Sequence, residues 1–227
     1  MAHIAGISAE NAGQDAKLVF DYTRQGLAGI TGREPERMLE PLEMYAHAPE
    51  LLKAIAGLEQ ATAQVTRLDE RLNVLAQLKA ATLTSCEYCI DLGSQIARRS
   101  GLSDEQLLAL PAYRTSPLFS DVEKLVLDYA VAMSRTPVDV PDGLVAKLRQ
   151  HLDDGQLVEL THGIALENMR GRFNLALGIG AAGFSEGMVC AVPERAQARA
   201  EAMGSRYRKA VRLKSKTVQI AIEGGVS

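Results

Sequence analysis

The chain has 227 residues, a formal net charge of -3, and 47% hydrophobic against 23% charged residues. This length and polarity suit a folded chain with a sizeable apolar core and exclude a disordered one. The mild acidity gives no reason to expect nucleic acid or an anionic membrane as partner, and with no Trp and 4% aromatic residues there is no stacking platform for bases.

No stretch approaches the roughly 18 consecutive apolar residues of a membrane span. The N-terminal run from Met1 to Gln14 lacks a basic region followed by an apolar one, so no signal peptide is read there and a cytoplasmic location is expected.

The periodicity is helical nearly throughout, and no alternating strand runs bracket an Asn-Gly or Asp-Gly turn. A first helix is expected over 15–30. Pro35 starts a second, to Ala46, and Pro49 a third, from Glu50 to Thr66. A fourth runs from Asp69 to Leu83. Its apolar residues, among them Leu72, Leu75, Leu78 and Ala81, cover most of its circumference and mark a core helix. A fifth begins near Cys86 and stops before Gly101. Ser103 with Gln106, and Ser120 with Glu123, are capping-box patterns for the next two helices. Pro141 opens a helix to His151, Asp154 caps one from Gly155 to Leu177, and Pro193 opens the last, to Lys214. The tail from Lys216 to Ser227 reads as loose or as pairing with a neighbouring subunit. The expected fold class is all-α: a bundle of about eight to ten helices in one domain spanning 1–227.

Three cysteines occur, and two are three apart in Thr84-Ser-Cys-Glu-Tyr-Cys-Ile-Asp91. In a reducing compartment this spacing suggests catalysis or metal binding more than a structural disulfide framework. At a helix start, backbone N–H groups and the helix dipole favour a thiolate. Residues i and i+3 share a helix face, so Cys86 and Cys89 are placed to form a disulfide, one thiol attacking and the other resolving. A zinc site needs four ligands, and neither Cys190 nor His3, His47, His151 and His162 have ligand spacing. Two cysteines that merely pack is the plainer alternative. A thioredoxin-like reading lacks its βαβ context.

The run Leu72-Asn-Val-Leu-Ala-Gln-Leu-Lys-Ala-Ala-Thr-Leu-Thr-Ser-Cys-Glu-Tyr-Cys-Ile-Asp-Leu-Gly93, continued by Ala97-Arg-Arg-Ser-Gly-Leu-Ser-Asp-Glu-Gln-Leu107, resembles the carboxymuconolactone decarboxylase family and its AhpD-like alkylhydroperoxidases. His47 to Leu51 and Leu157 to Asn168 extend the likeness, which covers about residues 40–185 and leaves a C-terminal helix and tail over 193–227. The resemblance implies an AhpD-like helical bundle with the CxxC at the start of a core helix, trimeric or hexameric assembly, and reduction of hydroperoxides by a cysteine pair recharged by a dithiol partner. By resemblance Cys89 is the attacking thiol and Cys86 the resolver.

The family's proton relay pairs an upstream Glu with a His four residues after the second cysteine. Here Asn73 and Val74 stand in the first place and Gly93 in the second. Asp91, Tyr88 and Glu87 are the nearest substitutes along the chain, and His47 or His162 are candidates to arrive through folding. Gly93 is expected to leave open space for a substrate or a water.

Gly178-Ile-Gly-Ala-Ala-Gly183 matches the letters of a dinucleotide fingerprint, but a helical pattern precedes it, so it reads as a helix end. The basic run Arg206, Arg208, Lys209, Arg212, Lys214 and Lys216 reads as a solvated helix against another subunit. The expectation is a thiol-dependent oxidoreductase of the peroxidase type. Cys86 and Cys89 are its catalytic residues, and it uses no cofactor and no metal. Its partners are a hydroperoxide or a partner dithiol or disulfide, and further copies of itself. The alternatives are a decarboxylase-like member without a redox cycle, and a redox-sensing or non-catalytic oligomer that has lost the relay.

Overall fold

A computed structural model describes residues 2–194. Beyond Glu194 the expected last helix from Pro193, with the basic run and the tail, lies outside the described residues. Among the described residues there are nine α-helices, one short 3-10 turn and no strand. The helices are α1 Gln14–Thr31, α2 Glu40–Tyr45, α3 Pro49–Thr62, α4 Glu70–Thr84, α5 Glu87–Arg99, α6 Asp104–Ala109, α7 Asp121–Ser134, α8 Asp142–Leu148 and α9 Asp154–Leu177.

The starts follow the chemistry read from the sequence. Ser103 and Ser120 form reciprocal capping boxes with Gln106 and Glu123. Asp69 accepts the Leu72 N–H and caps α4. Three expectations need correction. The helix placed at Pro35 begins only at Glu40, because residues 36–39 form turns first. The third helix ends at Thr62 rather than Thr66. The cap of α9 is Asp153, whose carboxylate takes the Gln156 N–H while Gln156 reaches back to the Asp153 N–H. Asp154 is instead the first helical residue.

The central helix is α4, which packs on α5, α7 and α9. Its sides feed two apolar clusters. Leu75, Leu78 and Ala81 join one with Phe20, Leu52, Leu107 and Phe184. Ala76 and Ala80 join the other with Val126, Tyr129, Leu160 and Ile164. A helix buried on nearly all sides needs apolar residues nearly all round, as its sequence has. Lys79 is the charged exception: it is 1% exposed, and its ammonium donates to the Leu110 carbonyl at 3.0 Å and pairs with Glu194. Burial pushes the Lys79 ammonium below the ordinary lysine range, with Glu194 opposing.

Helix α9 lies close on α4 through glycines. A Cβ at Gly163 would meet Asn73 Oδ1 at 2.6 Å, and one at Gly171 would meet Thr84 Oγ1 at 2.7 Å. Both contacts advance in the same direction along the two helices, so α4 and α9 run parallel. Together they carry the end of α9 to the start of α5.

Among the described residues no helix is long and apolar enough to cross a membrane.

Candidate active site at the start of the fifth helix

A single residue turns the chain from α4 into α5. Ser85 is left-handed, at φ 61°, and the Cys86 and Ser85 N–H groups return to Ala81 and Thr82. This is the bonding pattern of a Schellman motif, with serine where glycine is usual. Cys86 is therefore delivered to the N-cap of α5. Its sulfur accepts the Cys89 N–H at 3.2 Å, doing what a capping oxygen does elsewhere. Cys86 and Cys89 are joined by a disulfide, as their spacing allows. Cys86 is 0% exposed and Cys89 7%.

The group closest in chemistry to the sulfurs comes from far along the chain. Asn174, on the last turn of α9 and buried, points Nδ2 at Cys86 Sγ at 3.5 Å and at Cys89 Sγ at 3.6 Å. Two turns earlier lies Glu167, on nearly the same face of α9. Its carboxylate is buried, with Oε2 accepting from Arg170 at 3.1 Å and Oε1 unpartnered. Arg170 also donates to Gln77 of α4 at 3.2 Å and to Glu59 of α3. Burial pushes the Glu167 carboxyl up to about 7, against the pull of Arg170.

A cleft of about 480 Å³ opens beside the pair. The residues flanking Cys86, Ser85 and Glu87, line it with Arg37, Leu175 and the 178–181 segment. That segment leaves α9 at Gly178, which is left-handed at φ 71°. It belongs to a loop wrapped around Asp91. Asp91 Oδ2 accepts the Ala182, Gly183 and Phe184 N–H groups at 3.0, 2.7 and 3.0 Å, Oδ1 accepts Ser185 at 2.6 Å, and the Ser185 hydroxyl donates to the Asp91 carbonyl. The glycine-rich run thus ends in an amide nest for an anion, and the anion is the protein's own carboxylate.

The other candidates occupy different places. Tyr88 is buried, donates its hydroxyl to the Met38 carbonyl and meets Phe184 edge to face, with ring centroids 5.9 Å apart. Burial raises its phenol pKa, helped by Asp91 and Glu40, which removes it as a proton source near neutrality. Glu87 is exposed at the cleft. His47 is exposed and bonds the Ala5 carbonyl at 2.8 Å. His162 bonds Thr62 Oγ1 at 3.0 Å. It lies twelve residues before Asn174 on one helix, a rise of about 18 Å. The space expected at Gly93 is narrowed on one side by α4, since a Cβ there would lie 3.2 Å from Leu78 Cδ1. Among the described residues no group of three or more His, Cys, Asp or Glu is placed to hold a metal ion.

Asn174, Glu167 and Arg170 were not singled out in the sequence. Their spacing of 3, 4 and 7 on one face of a long helix, with Gly171 among them, is the signal that was available.

The sequence pattern of the carboxymuconolactone decarboxylase family matches residues 49–132. The uncharacterized protein YnjA of Escherichia coli (strain K12) is 43% identical over 129 residues, which is 56% of this chain and 68% of YnjA. The chain belongs to the carboxymuconolactone decarboxylase family. Solved structures share its fold at lower identity. A cysteine-to-alanine variant of the debrominase Bmp8, in complex with 2,3,4-tribromopyrrole, aligns with a TM-score of 0.66 at 18% identity, covering 80% of this chain and 95% of that chain. The AhpD core of a peroxidase-related protein from Ralstonia eutropha JMP134 aligns with a TM-score of 0.59 at 16% identity, covering 79% and 92%. The all-helical AhpD-like bundle, with the cysteine pair at the start of a core helix, is thus this family member's fold.

Proposed function

We propose that this family member is a thiol-dependent oxidoreductase in which Cys86 and Cys89 cycle between dithiol and disulfide. The observation that carries the reading is the pair itself: two sulfurs bonded at a helix N-cap, with a cleft lined by the residues on either side of Cys86. A hydroperoxide is the oxidant that this arrangement suits. The Cys89 sulfur attacks the terminal peroxide oxygen, the O–O bond breaks, and an alcohol leaves. The resulting sulfenic acid is attacked by Cys86, the disulfide forms, and the second oxygen leaves as water or hydroxide. A partner dithiol then exchanges with the disulfide and restores both thiols. The greater exposure of Cys89 supports its meeting the oxidant.

The need for a dithiol partner fits a reducing, cytoplasmic setting. Assembly into a trimer or hexamer is part of the reading. Leu18 and Tyr22, one turn apart on α1, are 64% and 63% exposed and are suited to a subunit contact.

The test follows peroxide loss with a dithiol reductant while free thiols are titrated, in the wild type and in Cys89→Ser. The expected result is loss of two thiols per chain on peroxide treatment and turnover that Cys89→Ser abolishes. Reversible oxidation without turnover would leave a sensor in place of an enzyme. Thiols inert to peroxide and to disulfides would end the redox reading.

A further inference from the structure

We infer that Asn174 is a positioning residue that sets the charge of the reduced pair, holding Cys86, the more buried cysteine, as its thiolate. The inference rests on the redox cycle proposed above.

The two sulfurs are not equivalent. Cys86 Sγ sits at the N-cap of a 13-residue helix and faces two donors, the Cys89 N–H at 3.2 Å and Asn174 Nδ2 at 3.5 Å. Cys89 Sγ faces one, the same Asn174 amide at 3.6 Å. A sulfur anion gains from each N–H aimed at it and from the unsatisfied end of the helix. The negative charge therefore belongs on Cys86, although Cys86 is 0% exposed and Cys89 is 7% exposed.

The charged groups around the pair have other partners or stand off. On α5, Asp91 is held by four loop amides and Glu87 is exposed. On α9, Arg170 binds Glu59 of α3 and Glu167. At the cleft, Arg37 pairs with Glu40 of α2. None of these side chains hydrogen-bonds a sulfur. The side-chain donor that reaches both sulfurs is a neutral amide, which keeps its N–H groups at every pH the protein meets.

This arrangement supplies what the missing histidine would have supplied. The Cys86 thiolate takes the proton of the Cys89 thiol as Cys89 attacks the peroxide, and passes it to the departing alkoxide. Cys86, a thiolate again, then attacks the Cys89 sulfenic acid and expels hydroxide, closing the disulfide. One thiol thus serves first as base and then as nucleophile, with Asn174 holding its charge at both stages.

The test reads the Cys86 thiol in the reduced full-length Cys89→Ser protein, from the pH dependence of iodoacetamide alkylation, with Asn174 intact or changed to Ala or Asp. Removing the amide should raise the Cys86 pKa by about one unit, and at a pH below it this slows alkylation about tenfold. Asn174→Asp keeps the shape but turns a donor into an anion, and should raise it further. In the two-cysteine protein, Asn174→Ala should make the disulfide about tenfold harder to reduce in equilibrium with dithiothreitol. Circular dichroism identifies any variant that fails to fold, and the near-isosteric Asp variant then carries the result. A Cys86 pKa unmoved by either substitution, or one above that of Cys89 in Cys86→Ser, overturns the inference. Failure of peroxide turnover with a low, Asn174-dependent Cys86 pKa leaves the inference standing and removes only the peroxidase reading.

Discussion

Asp91 and Ser185 are bound to each other twice: the Ser185 N–H enters the Asp91 carboxylate at 2.6 Å, and the Ser185 hydroxyl returns to the Asp91 carbonyl at 2.8 Å. With the three amides on Oδ2, this clamp fixes the loop whose first residues line the cleft. Hydrogen bonds to a charged acceptor contribute roughly 1.5–3 kcal/mol each, and buried amides left without a partner cost more. Asp91→Ala should therefore lower stability by about 4 kcal/mol and open the 182–191 loop to protease. Urea unfolding and limited proteolysis read the two effects. A loss below about 1 kcal/mol with an uncut loop would contradict the clamp.

Ser85 occupies a left-handed position and its buried hydroxyl lacks a partner. Glycine removes both penalties, about 1–2 kcal/mol for the backbone and about 1–3 for the hydroxyl, and gives back about 0.5–1 in unfolded-chain entropy. Ser85→Gly should raise Tm by about 2–4 °C per kcal/mol gained. A scanning-calorimetry Tm that falls would show the hydroxyl to be bonded.

Glu167 should give the stability curve a slope near neutrality. Its carboxyl titrates at about 7 when folded against 4.5 as an ordinary glutamate. Between those values the folded chain holds more protons than the unfolded one, so stability falls as pH rises and levels off above the folded value. The loss is about 3.5 kcal/mol at most, from about 1.4 kcal/mol per unit. Glu167→Gln removes the titration. Denaturation midpoints from pH 4.5 to 8 should decline in the wild type and run flatter in the variant; parallel profiles would show that another group sets the slope.

Restoring the family histidine should not restore a relay. Leu78 Cδ1 lies 3.2 Å from where a Cβ at Gly93 would sit. Gly93→His should cost about 1–3 kcal/mol through overpacking and give no gain in peroxide turnover. Combined with Leu78→Ala it should lose less than the sum of the two single changes. Additive losses would mean the imidazole finds room without displacing Leu78.

What was legible in the sequence was local. The Ser103 and Ser120 caps, the all-round apolar surface of α4 and the two cysteines at a helix start each depend on residues within a turn or two. What escaped depends on contacts across the fold. Asn174 reaches the cysteines over 88 and 85 residues of chain, and no spacing rule ties it to them. Asp91, one turn into α5, reads from the sequence as a nearby substitute for the relay, and only the returning loop shows its carboxylate held by four amides. Gly93 looked like vacant space because only the packing of α4 on α5 puts Leu78 there. The glycine run at 178–183 reads from the sequence as a helix end, and the anion that its last amides serve could be found only in three dimensions.

The segment matching the family pattern ends at residue 132, whereas Asn174, Glu167 and the 182–185 amides all lie beyond it. The paired sulfurs and the groups that surround them are thus written in separate stretches of the gene. A lineage could keep its thiols unchanged and still acquire new redox behaviour by altering the end of one helix and the loop that follows. Comparing relatives by their cysteine motif alone would miss such divergence.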